Sequence, residues 1–203
     1  MNGSLVINIC GNIASGKSTL AAALQDWFNF PVIIEDTSRI SLFEKYCTDP
    51  KSWASLTQVQ FMIDKFARAL VCLTDEITIM DRSLDEDALI FAKLHRDIGN
   101  ISDSDFSSYL DIYHGALNFL PKRRINILVT CSRLEQERRI NNRGEKERLM
   151  LTSTYLDTLG AMYSEYVLSS HFDLVFSSET DSTQSAVHAV EKCISDIFGS
   201  KQG

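Results

Sequence analysis

Short apolar runs alternate along the chain with longer stretches in which apolar residues recur at helical spacing. A continuous apolar run of this length, bounded by glycine, proline or charged residues, is typical of a strand buried on both faces. The sequence predicts such strands at residues 5–10, 32–34, 77–80, 125–130 and 174–176. Amphipathic helical periodicity predicts helices over residues 17–28, 53–72, 84–94, 106–120, 155–167 and 183–197.

Strands separated by helices indicate a parallel sheet with right-handed crossovers and helices on both faces. We therefore predict an α/β fold built on a five-stranded parallel sheet, in a single domain over residues 1–203. Ligands of such sheets bind outside the carboxyl ends of the strands. Chemistry-bearing residues are accordingly expected directly after each strand.

Composition excludes several classes of protein. The 20 Lys and Arg residues against 27 Asp and Glu residues give a net charge of −7, which argues against nucleic-acid binding through a broadly basic face. No apolar run approaches the roughly 18 residues of a membrane span, so no membrane partner is expected. Five scattered cysteines without a CxxC pair predict reduced thiols and a cytoplasmic location.

The strongest local motif is GNIASGKS at residues 11–18, which matches the phosphate-binding pattern GxxxxGK[ST] between a predicted strand and a predicted helix. Its backbone N–H groups surround phosphates, its lysine reaches the β- and γ-phosphates, and its final hydroxyl binds Mg²⁺. The alternative is a glycine turn that merely leads into a helix. The residues expected to contact the donor nucleotide here are Gly11, Asn12, Ala14, Ser15, Gly16, Lys17, Ser18 and Thr19.

Acidic residues follow the second and third predicted strands. Glu35 is a candidate base for a hydroxyl that attacks a phosphate, and its alternative is a solvated acid at a strand end. Asp81 lies where P-loop enzymes place an acid near the metal. Arg82 could stabilise charge on a transferred phosphoryl group. The alternative for Asp81 and Arg82 is a surface ion pair.

Several polar residues are ambiguous from local sequence alone. Residues 133–148 interleave arginines with glutamates, which fits either a solvated helix with i,i+4 ion pairs or a lid that closes over phosphates. Gln58 could recognise a base through its paired donor and acceptor. Without further information, Gln58, Lys65 and Asp87 are expected at the surface.

Taken in order, the motifs resemble those of deoxynucleoside kinases. They are GNIASGKSTL at 11–20, Glu35, DPKSWASLTQ at 49–58, DRSLDED at 81–87, RINNRGEKE at 139–147 and YLDTL at 155–159. The stretch DRSLDEDALIFAKL is most similar to bacterial deoxyadenosine/deoxyguanosine kinases. The resemblance implies a P-loop kinase fold with an arginine-containing lid at about residues 132–148. It also implies Mg²⁺-dependent transfer of phosphate from ATP to the 5′-hydroxyl of a purine deoxynucleoside, deoxyguanosine or deoxyadenosine.

The resemblance implies a role for each matching residue. The catalytic residues would be Glu35 as the base, together with Arg82 and Lys17. The lid arginines Arg139 and Arg143 would contact the donor, and Ser18 and Asp81 would bind the metal. The deoxynucleoside would contact Glu35, Tyr46, Gln58, Lys65, Arg82, Asp87 and Glu147. Tyr46 corresponds to the family's tyrosine at the 3′-hydroxyl.

The resemblance further implies a homodimer and feedback binding of deoxynucleoside triphosphates. Two other functions stay open. A nucleoside monophosphate kinase, such as a thymidylate kinase, shares the P-loop and the lid but needs extra cations for the phosphate of its acceptor. A non-catalytic nucleotide-binding subunit can retain this fold, although intact Lys17, Ser18, Glu35 and Arg82 argue against it.

Overall fold

A computed structural model describes residues 4–72, 75–142 and 151–199. Five strands form one sheet in the order β2-β3-β1-β4-β5, and every neighbouring pair is parallel. The strands are β1 (Leu5–Cys10), β2 (Val32–Ile33), β3 (Ile77–Asp81), β4 (Arg123–Thr130) and β5 (Leu174–Ser177). The predicted five-stranded parallel sheet is therefore confirmed. Within the described residues, no helix is long and apolar enough to cross a membrane.

Helices connect the strands and cover both faces of the sheet. They are α1 (Lys17–Phe28), α2 (Phe43–Thr48), α3 (Pro50–Cys72), α4 (Leu84–Glu86), α5 (Lys93–Asp97), α6 (Asp103–Leu117), α7 (Arg133–Asn141), α8 (Ser153–Ser169) and α9 (Thr183–Gly199). A 3₁₀ turn covers Thr37–Arg39, and a π-helical segment, Asp87–Ala92, joins α4 to α5.

The central strand β1 is buried along its whole length, which explains why its residues are apolar except Asn8. The buried Asn8 amide donates to Asn126 Oδ1 of β4 at 2.8 Å. On one face of the sheet, the core contains side chains of α1 and α9, such as Leu24 and Val190. On the other face, α3 and α6 contribute Met62 and Tyr113. This arrangement leaves the carboxyl ends of β1, β2 and β3 open at one edge, where their connecting loops meet.

Several element boundaries differ from the predictions. Helix α2 was not predicted, because its six residues are too few to show a periodicity. The helix predicted over 106–120 lies at Asp103–Leu117, where the Ser102 hydroxyl accepts the Asp105 N–H. The helix predicted over 53–72 begins at Pro50, since proline at the first helical position sacrifices no internal hydrogen bond.

Candidate active site

The loop between β1 and α1 has the backbone conformation that its glycines allow. Gly11 has a φ of +145°, Gly16 a φ of +107° and Ala14 a φ of +60°. A Cβ atom on Gly11 would lie 2.3 Å from the Val129 carbonyl oxygen, so no larger residue fits there without moving β4. The loop leads directly into α1, whose N-terminal N–H groups favour an anion.

Lys17 points back across this loop. Its Nζ donates to the Asn12 carbonyl oxygen at 2.9 Å. Burial, and then the neighbouring charge of Arg82, lower the pKa of Lys17 to about 8. Burial removes part of the water around the Lys17 ammonium group. Phosphate oxygens that bind there would stabilise its charged form, as expected of a phosphate-binding lysine.

Ser18 and Asp81 meet at the edge between α1 and β3. The Ser18 hydroxyl donates to Asp81 Oδ2 at 2.6 Å. The other carboxylate oxygen, Oδ1, is buried without a hydrogen-bond partner among the described residues. A hydroxyl and a carboxylate oxygen are the hard ligands that Mg²⁺ prefers, so the two side chains fit the metal-binding role that the resemblance implies.

Glu35 follows β2, and Arg82 follows β3. Arg82 Nε donates to Glu35 Oε2 at 2.6 Å, and the Arg82 guanidinium lies over the Phe91 ring at 4.2 Å. Burial alone would raise the pKa of Glu35, but the charges of Arg82, Lys65 and Lys17 hold it at about 2. Neither residue is a solvated surface group, because Arg82 is buried and Glu35 faces a cavity.

A buried network supports Arg82 from behind and joins it to the phosphate-binding loop. Arg82 Nη1 donates to the Tyr163 hydroxyl at 2.8 Å. That hydroxyl lies 2.9 Å from the Gly11 carbonyl oxygen and 2.8 Å from Glu86 Oε1, either of which can accept its hydrogen. Glu86 Oε1 also accepts the Gly11 N–H at 2.7 Å. Hydrogen bonds through Tyr163 and Glu86 thus fix the position of Arg82 relative to the phosphate-binding loop.

An acceptor cavity of about 450 Å³ extends from Lys17 and Ser18, past Glu35, to the side chains of α3. Gln58, Lys65 and Asp87 are all buried, so the expectation that they lie at the surface was wrong. Gln58 and Asp87 line the acceptor cavity. The remaining lining residues include Thr37, Phe43, Tyr46, Phe61, Phe91, Leu151 and Tyr155.

Lys65 and Asp87 form a buried ion pair beside the acceptor cavity, which Asp87 lines, with Lys65 Nζ 2.5 Å from Asp87 Oδ2. Burial is the largest influence on Asp87 and raises its pKa, although Lys65 opposes the shift; the nearby charge of Glu35 adds to it, and the resulting pKa is about 6. A cation and an anion side by side offer a hydrogen-bond donor and an acceptor to a polar ring edge.

A donor cavity of about 350 Å³ lies on the opposite side of the phosphate-binding loop. It shares Lys17 and Ser18 with the acceptor cavity and is also lined by Thr19. Arg139 of α7 reaches this wall, where Nη1 donates to the Ala14 carbonyl oxygen at 3.0 Å and to Ser178 Oγ at 2.9 Å.

Helix α7 also contains ion pairs of the kind expected for a solvated helix. Arg133 pairs with Glu137, and Arg138 pairs with Glu135. Helix α7 therefore combines a solvated, ion-paired face with an arginine directed at the phosphate-binding loop. The predicted lid residues Arg143 and Glu147 lie outside the described residues.

The family model described as "Deoxynucleoside kinase" matches residues 7–197. This chain belongs to the deoxynucleoside kinase family. A deoxyguanosine kinase from Lactobacillus acidophilus is 32% identical over 158 residues, which cover 75% of this chain and 69% of that protein. A deoxyadenosine/deoxycytidine kinase from Bacillus subtilis is 25% identical over 165 residues, covering 80% and 76%.

Solved structures support the same assignment of this kinase. A deoxyadenosine kinase from M. mycoides, with dCMP and dCDP bound, superimposes with a TM-score of 0.79 at 26% identity, covering 94% of this chain and 99% of that chain. A structure of the M. mycoides enzyme with dATP gives a TM-score of 0.74 at 27% identity, covering 95% and 99%. The predicted family, fold and enzyme class are therefore confirmed.

Sequence reasoning missed several buried polar residues of this kinase, among them Glu86, His95 and Tyr163. Glu86 had a readable signal, since Ser83 and Glu86 have the spacing of a capping box, which the structure contains. His95, whose Nε2 lies 2.7 Å from the Tyr46 hydroxyl, had no metal-ligand or catalytic spacing. Tyr163 had no local signal, because it contacts Gly11 from 152 positions away.

Proposed function

We propose that this kinase transfers the γ-phosphate of ATP to the 5′-hydroxyl of a purine deoxynucleoside, deoxyguanosine or deoxyadenosine. The observation that carries the proposal is that the acceptor and donor cavities meet at Lys17 and Ser18, with Glu35 lining the acceptor side. A nucleoside on one side and a nucleotide on the other would therefore bring a hydroxyl and a phosphate to the same few side chains.

Glu35 is proposed as the base. Its low pKa leaves it ionised at neutral pH, as a proton acceptor must be. The bond from the 5′-oxygen to the γ-phosphorus forms while the bond from that phosphorus to the β–γ bridging oxygen breaks. The hydroxyl proton passes to Glu35, and Arg82 stays beside both groups to stabilise charge on the transferred phosphoryl.

On the donor side, the phosphate-binding loop and Lys17 would hold the phosphates, with Arg139 at the outer wall. Ser18 and Asp81 fit Mg²⁺, and the buried, unpartnered Asp81 Oδ1 supports their assignment. When bound, Mg²⁺ would neutralise part of the phosphate charge. Arg143 and Glu147 stay predictions from the resemblance, as contacts to the donor and to the sugar.

The proposed purine preference rests on the relatives and on the polar side chains at the part of the acceptor cavity where we place the nucleobase. The L. acidophilus relative is named for deoxyguanosine, and the B. subtilis relative for deoxyadenosine and deoxycytidine. Gln58 and Asp87 line the acceptor cavity, and Lys65 donates to Asp87 Oδ2. We infer that these three side chains read the edge of the base, with Tyr46 at the sugar.

Structures of the M. mycoides enzyme contain dATP and dCTP. These structures support the further proposal that a deoxynucleoside triphosphate inhibits this kinase by feedback. Such a ligand would place its nucleoside in the acceptor cavity and its phosphates on the phosphate-binding loop. Inhibition should then be competitive with the deoxynucleoside.

The test is transfer of labelled phosphate from ATP, with Mg²⁺, to each of the four deoxynucleosides in separate reactions. We expect the highest kcat/KM with deoxyguanosine or deoxyadenosine. Glu35→Gln should retain ATP binding and lower kcat by about 10²–10⁴-fold, the usual contribution of a general base. Glu44→Gln is the matched control for a carboxylate outside the acceptor cavity.

Four outcomes would contradict parts of the proposal. Transfer restricted to pyrimidines would overturn the base assignment, and an unchanged rate in Glu35→Gln would remove Glu35 as the base. Transfer to deoxynucleoside monophosphates alone would favour a monophosphate kinase. ATP binding without turnover on any acceptor would favour a non-catalytic subunit.

A further inference from the structure

Tyr46 and His95 form a buried polar contact in the wall of the acceptor cavity. The Tyr46 hydroxyl lies 2.7 Å from His95 Nε2, and the two rings meet edge to face at 5.3 Å. Tyr46 is 4% exposed and His95 is 1% exposed. Tyr46 lines the acceptor cavity. The direction of its hydrogen bond with His95 therefore decides whether the phenol can donate its hydrogen to a ligand.

The opposite nitrogen of His95 faces a side-chain amide. Asn100 Nδ2 lies 3.1 Å from His95 Nδ1. The backbone N–H groups of Asn100 and Ile101 both donate to the His95 carbonyl oxygen, which closes the turn after α5 and holds Asn100 in place. Burial lowers the pKa of His95 to about 4, so the ring is neutral at physiological pH.

These contacts select one tautomer of the neutral ring. An amide nitrogen can only donate, so His95 Nδ1 accepts and the ring hydrogen lies on Nε2. His95 Nε2 then donates to the Tyr46 oxygen, which turns the Tyr46 hydrogen away from His95. That hydrogen points to the hydroxyl of Tyr155, its hydrogen-bond partner, which also lines the acceptor cavity. A ligand oxygen at this wall would accept the Tyr46 hydrogen in place of Tyr155.

A second cavity lies beside the Tyr46–His95 contact and gives the Tyr46 side chain room to move. This cavity of about 260 Å³ is lined by Tyr46, His95, Asn100 and Tyr155. If His95 no longer held the phenol, the Tyr46 side chain would have room to withdraw from the acceptor cavity. The His95 contact therefore adds a polar anchor for this hydroxyl to the apolar packing of the Tyr46 ring against Ala54 and Ile101.

We propose that His95 and Asn100 are positioning residues that present the Tyr46 hydroxyl as a hydrogen-bond donor to the 3′-oxygen of the deoxyribose, and so set the preference for acceptors with a 3′-hydroxyl. The inference rests on the proposed function, in which the deoxynucleoside sugar lies beside Tyr46. It assigns the selectivity for the 3′-position to residues outside the motifs of the resemblance, His95 in α5 and Asn100 in the turn that follows it.

The test compares kcat/KM for the preferred deoxynucleoside with kcat/KM for its 2′,3′-dideoxy analogue, which lacks the 3′-hydroxyl. His95→Leu should reduce the ratio about five- to tenfold, the size of one lost hydrogen bond, by lowering only the value for the deoxynucleoside. Tyr46→Phe should reduce the ratio similarly. His95→Gln, whose amide can still donate to Tyr46, should restore most of the ratio, and exposed His171→Leu should leave it unchanged.

If His95 has only a structural role, His95→Leu should lower kcat/KM equally for the deoxynucleoside and for its dideoxy analogue. That result would overturn the proposal. A second measurement needs no variant, because the ¹⁵N chemical shifts of the imidazole in the intact enzyme identify the tautomer. We expect hydrogen on Nε2, and hydrogen on Nδ1 would overturn the assignment. If the unmodified enzyme phosphorylates no deoxynucleoside, the proposed function fails, an outcome distinct from an unchanged ratio.

Discussion

At the scale of single residues, two acids in the acceptor cavity have pKa values that move in opposite directions. Burial acts on both Glu35 and Asp87, and each lies beside a cation. At Glu35, the combined charges of Arg82, Lys65 and Lys17 outweigh burial. At Asp87, burial and the charge of Glu35 outweigh Lys65. Glu35 therefore stays ionised as a base must, while Asp87 titrates close to neutral pH.

This difference predicts a bell-shaped pH profile for kcat/KM, which reports groups of the free enzyme. Activity should fall as the pH drops below about 6, because Asp87 becomes protonated and no longer accepts a hydrogen bond. It should fall again above about 8, because Lys17 loses its charge. Glu35 at about 2 and His95 at about 4 titrate too low to produce the acid limb.

Asp87→Asn is the variant that isolates the acid limb. It should lower purine turnover and remove the fall near pH 6 while preserving the fall near pH 8. Steady-state kinetics between pH 5 and 9 on a purine and a pyrimidine deoxynucleoside are the measurement. A variant that keeps the acid limb, or an unchanged ratio between the two bases, would exclude Asp87 from base recognition.

At the scale of elements, the phosphate-binding loop is held from behind by its neighbours as well as by its own glycines. Gly11 packs against the Val129 carbonyl oxygen of β4, and its N–H and carbonyl groups contact Glu86 and Tyr163. Arg82 takes a φ of +76° at the end of β3, which costs energy in a residue with a side chain. The network through Tyr163 holds it there.

Gly11→Ala tests this packing. The added Cβ would overlap the Val129 carbonyl oxygen, so the loop or β4 must move, and we expect about 1–3 kcal/mol of destabilisation with most ATP affinity lost. Gly160→Ala is the matched control, because Gly160 lies in α8 with open space around its Cβ position. That change should be neutral or stabilise by about 0.5–1 kcal/mol. Thermal unfolding and nucleotide titration measure both, and retained ATP affinity in Gly11→Ala would contradict the argument.

At the scale of the whole molecule, helix α3 has a polar side that is buried and an apolar side that is exposed. One side buries Gln58, which lines the acceptor cavity, and Lys65, which pairs with Asp87. The other side exposes Leu56, Ile63 and Leu70. The adjacent helix α6 exposes Ile112, and the turn after it exposes Phe119. Exposed apolar groups on two adjacent helices favour an interface, which supports the homodimer implied by the resemblance.

Ile63→Glu should convert a dimer to monomers, because it would bury an unpaired charge at the interface. Leu168→Glu on α8, an even more exposed leucine, is the control and should leave the mass unchanged. Sedimentation equilibrium measures both. A monomeric unmodified protein, or a dimeric Ile63→Glu variant, would rule out this face.

The sequence predicted those features that depend on residues close together in the chain. The five strands, the phosphate-binding loop and the positions of Glu35, Asp81 and Arg82 at strand ends follow from apolar runs and from topology. Helix α2 and the exact ends of α3 and α6 escaped, because short elements and capping contacts leave little periodic signal.

Only the tertiary structure decided which polar residues are buried together. Lys65 meets Asp87, Tyr46 meets His95 and Gly11 meets Tyr163 across separations of 22, 49 and 152 residues. Local sequence gives no sign of any of these pairings, since burial and charge pairing depend on how helices pack on the sheet. The motifs of this chain determined its family, and helix packing decided the buried partners of Glu35, Lys17 and Tyr46.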